Sequence, residues 1–192
     1  MKKSTALLLI TLSTTIALSG CSDLISATRE QPIAQERTAR TVGAYVDDEI
    51  IETLSLVNLK KGSAELVASN ISVTSYNGIV LLTGQAPSDR ARQEAEQVVS
   101  NVKKVRRINN EIKISGVSSA LSRTNDAWLT TKVKAQLLTN SQVDGSRIKV
   151  VTDSSTVYLM GLMTQAEANR AVSIVRGIAG VEKIVKVFEY ID

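Results

Sequence analysis

The chain is written twice. Ile71, Val73, Val80, Leu82 and Gly84 have counterparts at Ile148, Val150, Val157, Leu159 and Gly161, at a constant offset of 77 positions. Self-similarity at a fixed period marks a duplicated supersecondary unit. Whatever fold is adopted must therefore suit a piece of about 70 residues, near the lower limit for independent stability. It must also be adopted twice.

Both copies carry the same signals in the same order. Asp47-Asp48-Glu49-Ile50 and Asn125-Asp126-Ala127-Trp128 open helix-like stretches, with Asp48 and Asp126 expected as N-caps. Ile71/Val73 and Val80/Leu82 alternate with other residues on either side of Asn77-Gly78, the pattern of a tight hairpin. In the second copy the turn is Asp153-Ser154-Ser155, a weaker signal. Gly84 and Gly161 are expected to end the second strand. A second helix follows, capped by Ser88, with Ala91, Ala95, Val98, Val99 and Val102 on one side. Ala168, Ala171, Ile174, Val175 and Ile178 repeat that face. Val105/Ile108/Ile112 and Val181/Ile184/Phe188 lead into closing strands. The fold class is therefore α+β: two tandem αββαβ units, each a three-stranded sheet with two helices on one face. The first unit spans 47–115, a linker covers 116–123, and the second unit spans 124–192.

Composition narrows the function classes. Apolar residues make up 43% and aromatics only 3%, so the cores must be aliphatic. There is no His and one Cys, which removes His-based acid–base catalysis, Ser-His and Cys-His dyads, zinc sites built on His or several Cys, and intrachain disulfides. No metal, cofactor or catalytic residue is expected. The carboxylate pair Asp47/Asp48 has no second acid placed opposite it, which leaves an enzyme of peptidoglycan or lipid a poor fit.

The N-terminus reads as an address. Met1-Lys2-Lys3 precedes an apolar run from Thr5 to Leu18, too short to span a bilayer. Leu18-Ser19-Gly20-Cys21 follows, a secretory signal whose ending resembles the bacterial lipobox. That resemblance implies cleavage after residue 20 and acylation of Cys21, the only Cys of the chain. Asp23 stands one place beyond the position that in enterobacterial lipoproteins marks inner-membrane retention, which implies the outer membrane. Residues 21–46 then form the acylated Cys and a tether, or a short helix. Without Lys2 and Lys3, 21 basic residues face 19 acidic ones, a net +2 and too weak to argue for nucleic acid.

The block V-x-x-x-x-G-x-V-x-L-x-G appears as Val73, Gly78, Val80, Leu82 and Gly84. It recurs as Val150, Ser155, Val157, Leu159 and Gly161, with Ser in place of the turn Gly. Flanked by two helices, it resembles the BON domain (bacterial OsmY and nodulation). The lipobox makes the chain similar to the dual-BON lipoproteins of the outer membrane rather than to unanchored periplasmic members. The resemblance implies a periplasm-facing, lipid-anchored protein that binds anionic phospholipid through its second repeat. It further implies concentration at the division site and support of envelope integrity. Implied partners are septal amidase activators or outer-membrane assembly proteins.

The helix from Asp126 to Thr139 is the candidate lipid site, with Trp128, Leu129, Lys132, Val133, Lys134, Leu137 and Leu138 as its lipid-contact set. Leu129, Val133 and Leu137 form a stripe at i, i+4 and i+8 that is ordinary for a core. Trp128, Ala135 and Leu138 lie on a neighbouring arc, with Lys132 and Lys134 close by. Trp and Lys on one element fit a bilayer interface. Packing of Trp128 in the core or between repeats is the alternative. The first copy has Ile50 at that place, with Glu49 and Glu52 nearby. Tyr76 is a candidate contact between the repeats. In the basic run from Lys103 to Arg107, Arg106 and Arg107 are candidates for a secondary contact; a solvated helix end is the bland reading. Arg147 and Lys149 read as solvated charges. A periplasmic protein-interaction scaffold with incidental lipid contact is the competing function.

Overall fold

The structure, a computed structural model, describes residues 40–116 and 120–191. The signal, Cys21 and the tether up to residue 39 lie outside the described residues. Helix α1 spans Val42–Leu59, with Thr41 as its cap: the Thr41 hydroxyl accepts from the Ala44 amide at 3.0 Å. The helix thus begins inside the stretch expected as tether. The apolar residues of its first turns, Val42, Tyr45 and Val46, are exposed and so do not join the core stripe that a helical period would show. That stripe is Ile51, Ser55 and Leu59. A short helix α2, Ala64–Val67, follows.

Strand β1 (Asn70–Tyr76) pairs antiparallel with β2 (Ile79–Ala86), Val73 opposite Leu82. Helix α3 (Asp89–Ser100) starts at the Ser88 cap and buries Ala91, Ala95 and Val99. The closing strand is broken into β3 (Arg107–Asn110) and β4 (Lys113–Ile114), both parallel to β2. At the break the Asn110 side chain folds back: its carbonyl accepts from the Ile112 amide at 3.3 Å.

The second copy repeats this plan. Helix α4 is Ala120–Thr139, beginning inside the expected linker. A 3-10 turn at Gly145–Arg147 stands where α2 stood. Strands β5 (Lys149–Asp153) and β6 (Thr156–Met163) pair antiparallel; helix α5 (Gln165–Arg176) follows. Helix α5 opens with a capping box in which Thr164 and Glu167 satisfy each other's backbone amides. Strand β7 (Lys183–Tyr190) then runs parallel to β6.

Both hairpins turn through two residues at positive φ: Asn77 (52°) and Gly78 (75°), then Ser154 (49°) and Ser155 (58°). This is the type I′ turn that matches strand twist. Serine adopts it at a cost, and a buried acid offsets that cost. Asp126 accepts the Ser154 and Ser155 amides at 2.8 and 2.9 Å. Asp48 does the same for Asn77 and Gly78 at 2.7 and 2.9 Å, and also accepts the Ser75 hydroxyl and the Arg40 guanidinium. Neither aspartate is the helix N-cap expected from the sequence. Each helix starts six residues earlier, so the aspartate falls on an inner turn and faces the hairpin. Gly84 and Gly161 likewise do not end their strands, which continue two residues further. At Gly84 (φ 112°) a Cβ would lie 2.0 Å from the Asn70 carbonyl oxygen, so the strand entrance leaves room only for hydrogen.

Strand β2 is buried at every position, not at alternate ones. Val80 and Leu82 face the helices of their own repeat. Ile79 and Leu81 join Tyr76, Tyr158, Met160 and Val187 in a separate core between the two sheets. Each repeat is thus the expected two-layer unit, and the pair stacks sheet against sheet. The result is four layers with the helices outside.

Candidate functional site

Helix α4 sorts its residues by angle. At roughly 100° per residue, and taking Trp128 as zero, Leu129, Val133 and Leu137 fall near 100°, 140° and 180°. All three are at most 1% exposed and belong to the core of the second repeat. Their inclusion in a lipid-contact set is therefore corrected: they hold the helix down on β5 and α5 and cannot reach a bilayer while the repeat is folded. Trp128 is 57% and Leu138 62% exposed. With Ala135 and Thr131 they straddle the direction opposite the core. Lys132 and Lys134 flank this strip on opposite sides.

The Lys132 ammonium stands 4.8 Å from the centre of the Trp128 ring, a cation–π contact. It also donates to the Ala179 carbonyl at 3.3 Å. These two contacts hold the cation beside the indole while leaving the outer ring face free. Thr130 on the adjacent arc donates to the Thr152 hydroxyl at 2.8 Å, fixing the rotation of α4 against β5. The arrangement offers a flat aromatic, an aliphatic side chain nearly three turns away, and two cations. It contains no general base, no nucleophile and no enclosed cavity. Among the described residues no cluster of acids or thiols could hold a metal ion, and no helix is long and apolar enough to cross a membrane.

Tyr76, Arg106 and Arg107 lie where the repeats meet. The Tyr76 hydroxyl donates to the Arg147 carbonyl at 3.1 Å, and burial pushes its pKa up. Arg106 makes a two-pronged pair with Glu189 at 2.5 and 2.9 Å and donates to the Asn77 carbonyl. The guanidinium holds the Glu189 carboxyl below its usual range. Arg107 donates to the Phe188 carbonyl at 3.0 Å. Lys104, Arg106 and Arg107 of the basic run are thus paired while remaining exposed, Lys104 meeting Asp47 at 2.6 Å. The supposedly solvated Arg147 and Lys149 are also paired. Arg147 meets Asp144 and Glu167, and Lys149 bridges back to Glu52 at 2.8 Å across the repeats. Sequence reasoning missed Glu52, Asp153 and Glu189 as acidic partners in this contact, because their mates lie 97, 40 and 83 positions away. It also missed the outer face of α1, whose exposed Val42, Val46, Ile50 and Leu54 recur every four residues and could have been found by that spacing.

Comparison with known proteins fits this geometry. The chain is 34% identical over 186 residues to the outer membrane lipoprotein DolP of Haemophilus influenzae, covering 96% of both chains. It is 36% identical over 153 residues to a 21 kDa hemolysin of Actinobacillus pleuropneumoniae, covering 80% of this chain and 79% of that one. It is 26% identical over 190 residues to the osmotically-inducible protein Y of Escherichia coli, covering 96% and 94%. The model of the BON domain matches residues 47–116 and again 125–192. With both halves of the duplication matched and the αββαβ plan present in each, the chain belongs to the BON-domain family.

Proposed function

We propose that the chain is a non-enzymatic lipoprotein of the outer membrane, anchored through acylated Cys21, that reads anionic phospholipid with the outer strip of α4. The exposed indole of Trp128 with Lys132 held beside it carries this reading. An interfacial Trp places its ring at the acyl boundary and leaves the neighbouring cations among headgroups. Slightly over half of the Trp128 surface remains to be covered, on the order of 100 Å², or ~2.5 kcal/mol. Lys132 and Lys134 add roughly 1 kcal/mol each against an anionic surface. The total of ~4.5 kcal/mol suits a reversible second contact for a protein already tethered by its acyl chains. The name borne by the Haemophilus influenzae relative supports the location. Support of envelope integrity and action at the division site, through septal amidase activators or outer-membrane assembly proteins, belong to the same proposal.

The test is vesicle co-sedimentation of the chain from Ser22 onward, which lacks both signal and anchor and isolates the strip. Trp128→Glu should lower binding to phosphatidylglycerol vesicles by at least about 100-fold, with the fold unchanged by circular dichroism. Undiminished binding of that variant would remove the site assignment.

A further inference from the structure

Helix α1 is apolar on both sides. Asp48, Ile51, Ser55 and Leu59 face the core, yet the opposite side carries Val42, Val46, Ile50 and Leu54 at successive i+4 steps. These are 83, 51, 50 and 45% exposed. A contiguous exposed apolar ridge on a folded domain marks an interaction surface. Tyr45, Glu49, Thr53 and Val57 make a second, parallel i+4 row. Between the two rows runs a groove of about 380 Å³, lined from Tyr45 to Leu54. A groove between i±4 ridges is the feature that an i±4 ridge of another helix fills.

Two observations say what kind of helix. Glu49 sits on the groove wall with no ion pair or hydrogen bond among the described residues, whereas its neighbours Asp47 and Glu52 are engaged with Lys104 and Lys149. The duplication supplies the second. The positions of Tyr45, Glu49, Ile50 and Leu54 on α1 correspond to Arg123, Ala127, Trp128 and Lys132 on α4, aligned on Asp48 and Asp126. One helix face has thus diverged into a cationic, aromatic surface in the second repeat and an apolar, acidic one in the first. The four-layer stack puts the two helix layers on opposite sides of the molecule. When α4 lies on the bilayer, α1 faces the aqueous side, a step that rests on the membrane reading of Trp128. We infer that the outer groove of α1 docks an amphipathic helix of a partner protein, one with an aliphatic i, i+4 ridge and an Arg or Lys beside it that meets Glu49.

The test titrates the full chain, followed by amide NMR shifts, with a synthetic amphipathic helix of about five turns carrying a Leu ridge and one flanking Arg. A twin peptide has Glu in place of that Arg. Expected are shifts confined to residues 42–57, at least ~10-fold weakening by Glu49→Lys, and recovery of that variant's binding by the Glu twin. Ile50→Asp, an exposed and hence foldable change, should abolish binding. No binding, shifts elsewhere, or indifference to Glu49→Lys overturns the inference. So does self-association lost in Ile50→Asp, which makes a second copy the occupant, or zwitterionic vesicles shifting residues 42–57, which makes it the bilayer. Trp128→Glu should leave peptide binding untouched. Peptide binding that persists while anionic vesicles fail to bind the parent would sink the lipid reading alone.

Discussion

Replacing Asp48 by Ala should cost about twice as much stability as replacing Asp126, although the two occupy the same place in the two repeats. Asp126 accepts two backbone amides and is 9% exposed. Asp48 accepts two amides, a hydroxyl and a guanidinium, and is 1% exposed. Each donor left unpaired in a buried place costs ~1–3 kcal/mol, with water recovering part of this at the more open turn. Stranding the charge of Arg40, whose side chain is 16% exposed, adds to the loss. We expect about 4 kcal/mol for Asp48→Ala and about 2 kcal/mol for Asp126→Ala. Asp48→Asn should recover little. One carboxylate oxygen takes Ser75 and Gly78, the other takes Asn77 and Arg40, so an amide NH2 faces donors in either orientation. Urea unfolding followed by circular dichroism measures the losses, and hydrogen exchange at the Asn77 and Gly78 amides locates them. A loss below about 1 kcal/mol for Asp48→Ala, or equal losses at both sites, would refute the clamp.

Gly84→Ala, which drives a Cβ against the Asn70 carbonyl at positive φ, should lose about 3 kcal/mol in chemical denaturation. Gly161→Ala, 2.9 Å from the Arg147 carbonyl oxygen and without the φ penalty, should lose about half of that. Glu189→Gln should cost about 1 kcal/mol at neutral pH, since the pair it breaks is partly exposed. The Glu189 carboxyl is held below its usual range, so its contribution is complete above the ordinary glutamate pKa and is lost as the pH falls through the lowered one. Parent and variant should therefore converge in acid titrations. Mass spectrometry of the parent should show acyl chains on Cys21, and Cys21→Ser should lose them.

The duplicated pattern made the fold legible because strand alternation and helix spacing are local. Val73/Leu82 and Ala91/Ala95/Val99 stand where periodicity placed them. What stayed hidden is long-range. The aspartates looked like caps because an acid before an apolar run is the usual N-terminal signal; their actual partners are amides some 30 residues later. Full burial of β2 could not be read from its sequence, because the residues covering its second face belong to the other repeat. At the candidate site, spacing put Trp128 and Leu138 on a different arc from Leu129, Val133 and Leu137, yet all five stayed in the expected lipid-contact set. It could not say which arc faced out. An aromatic at i and an aliphatic stripe at i+1 are equally apolar, and only the sheet decides which is covered.

Trp128 is the single tryptophan of the chain, so its fluorescence reports the proposed contact without mutation. Adding phosphatidylglycerol vesicles to the chain from Ser22 onward should shift the emission to the blue and shield it from acrylamide, while phosphatidylcholine vesicles leave both unchanged. Vesicles that capture the protein while the indole stays fully quenchable would contradict the account.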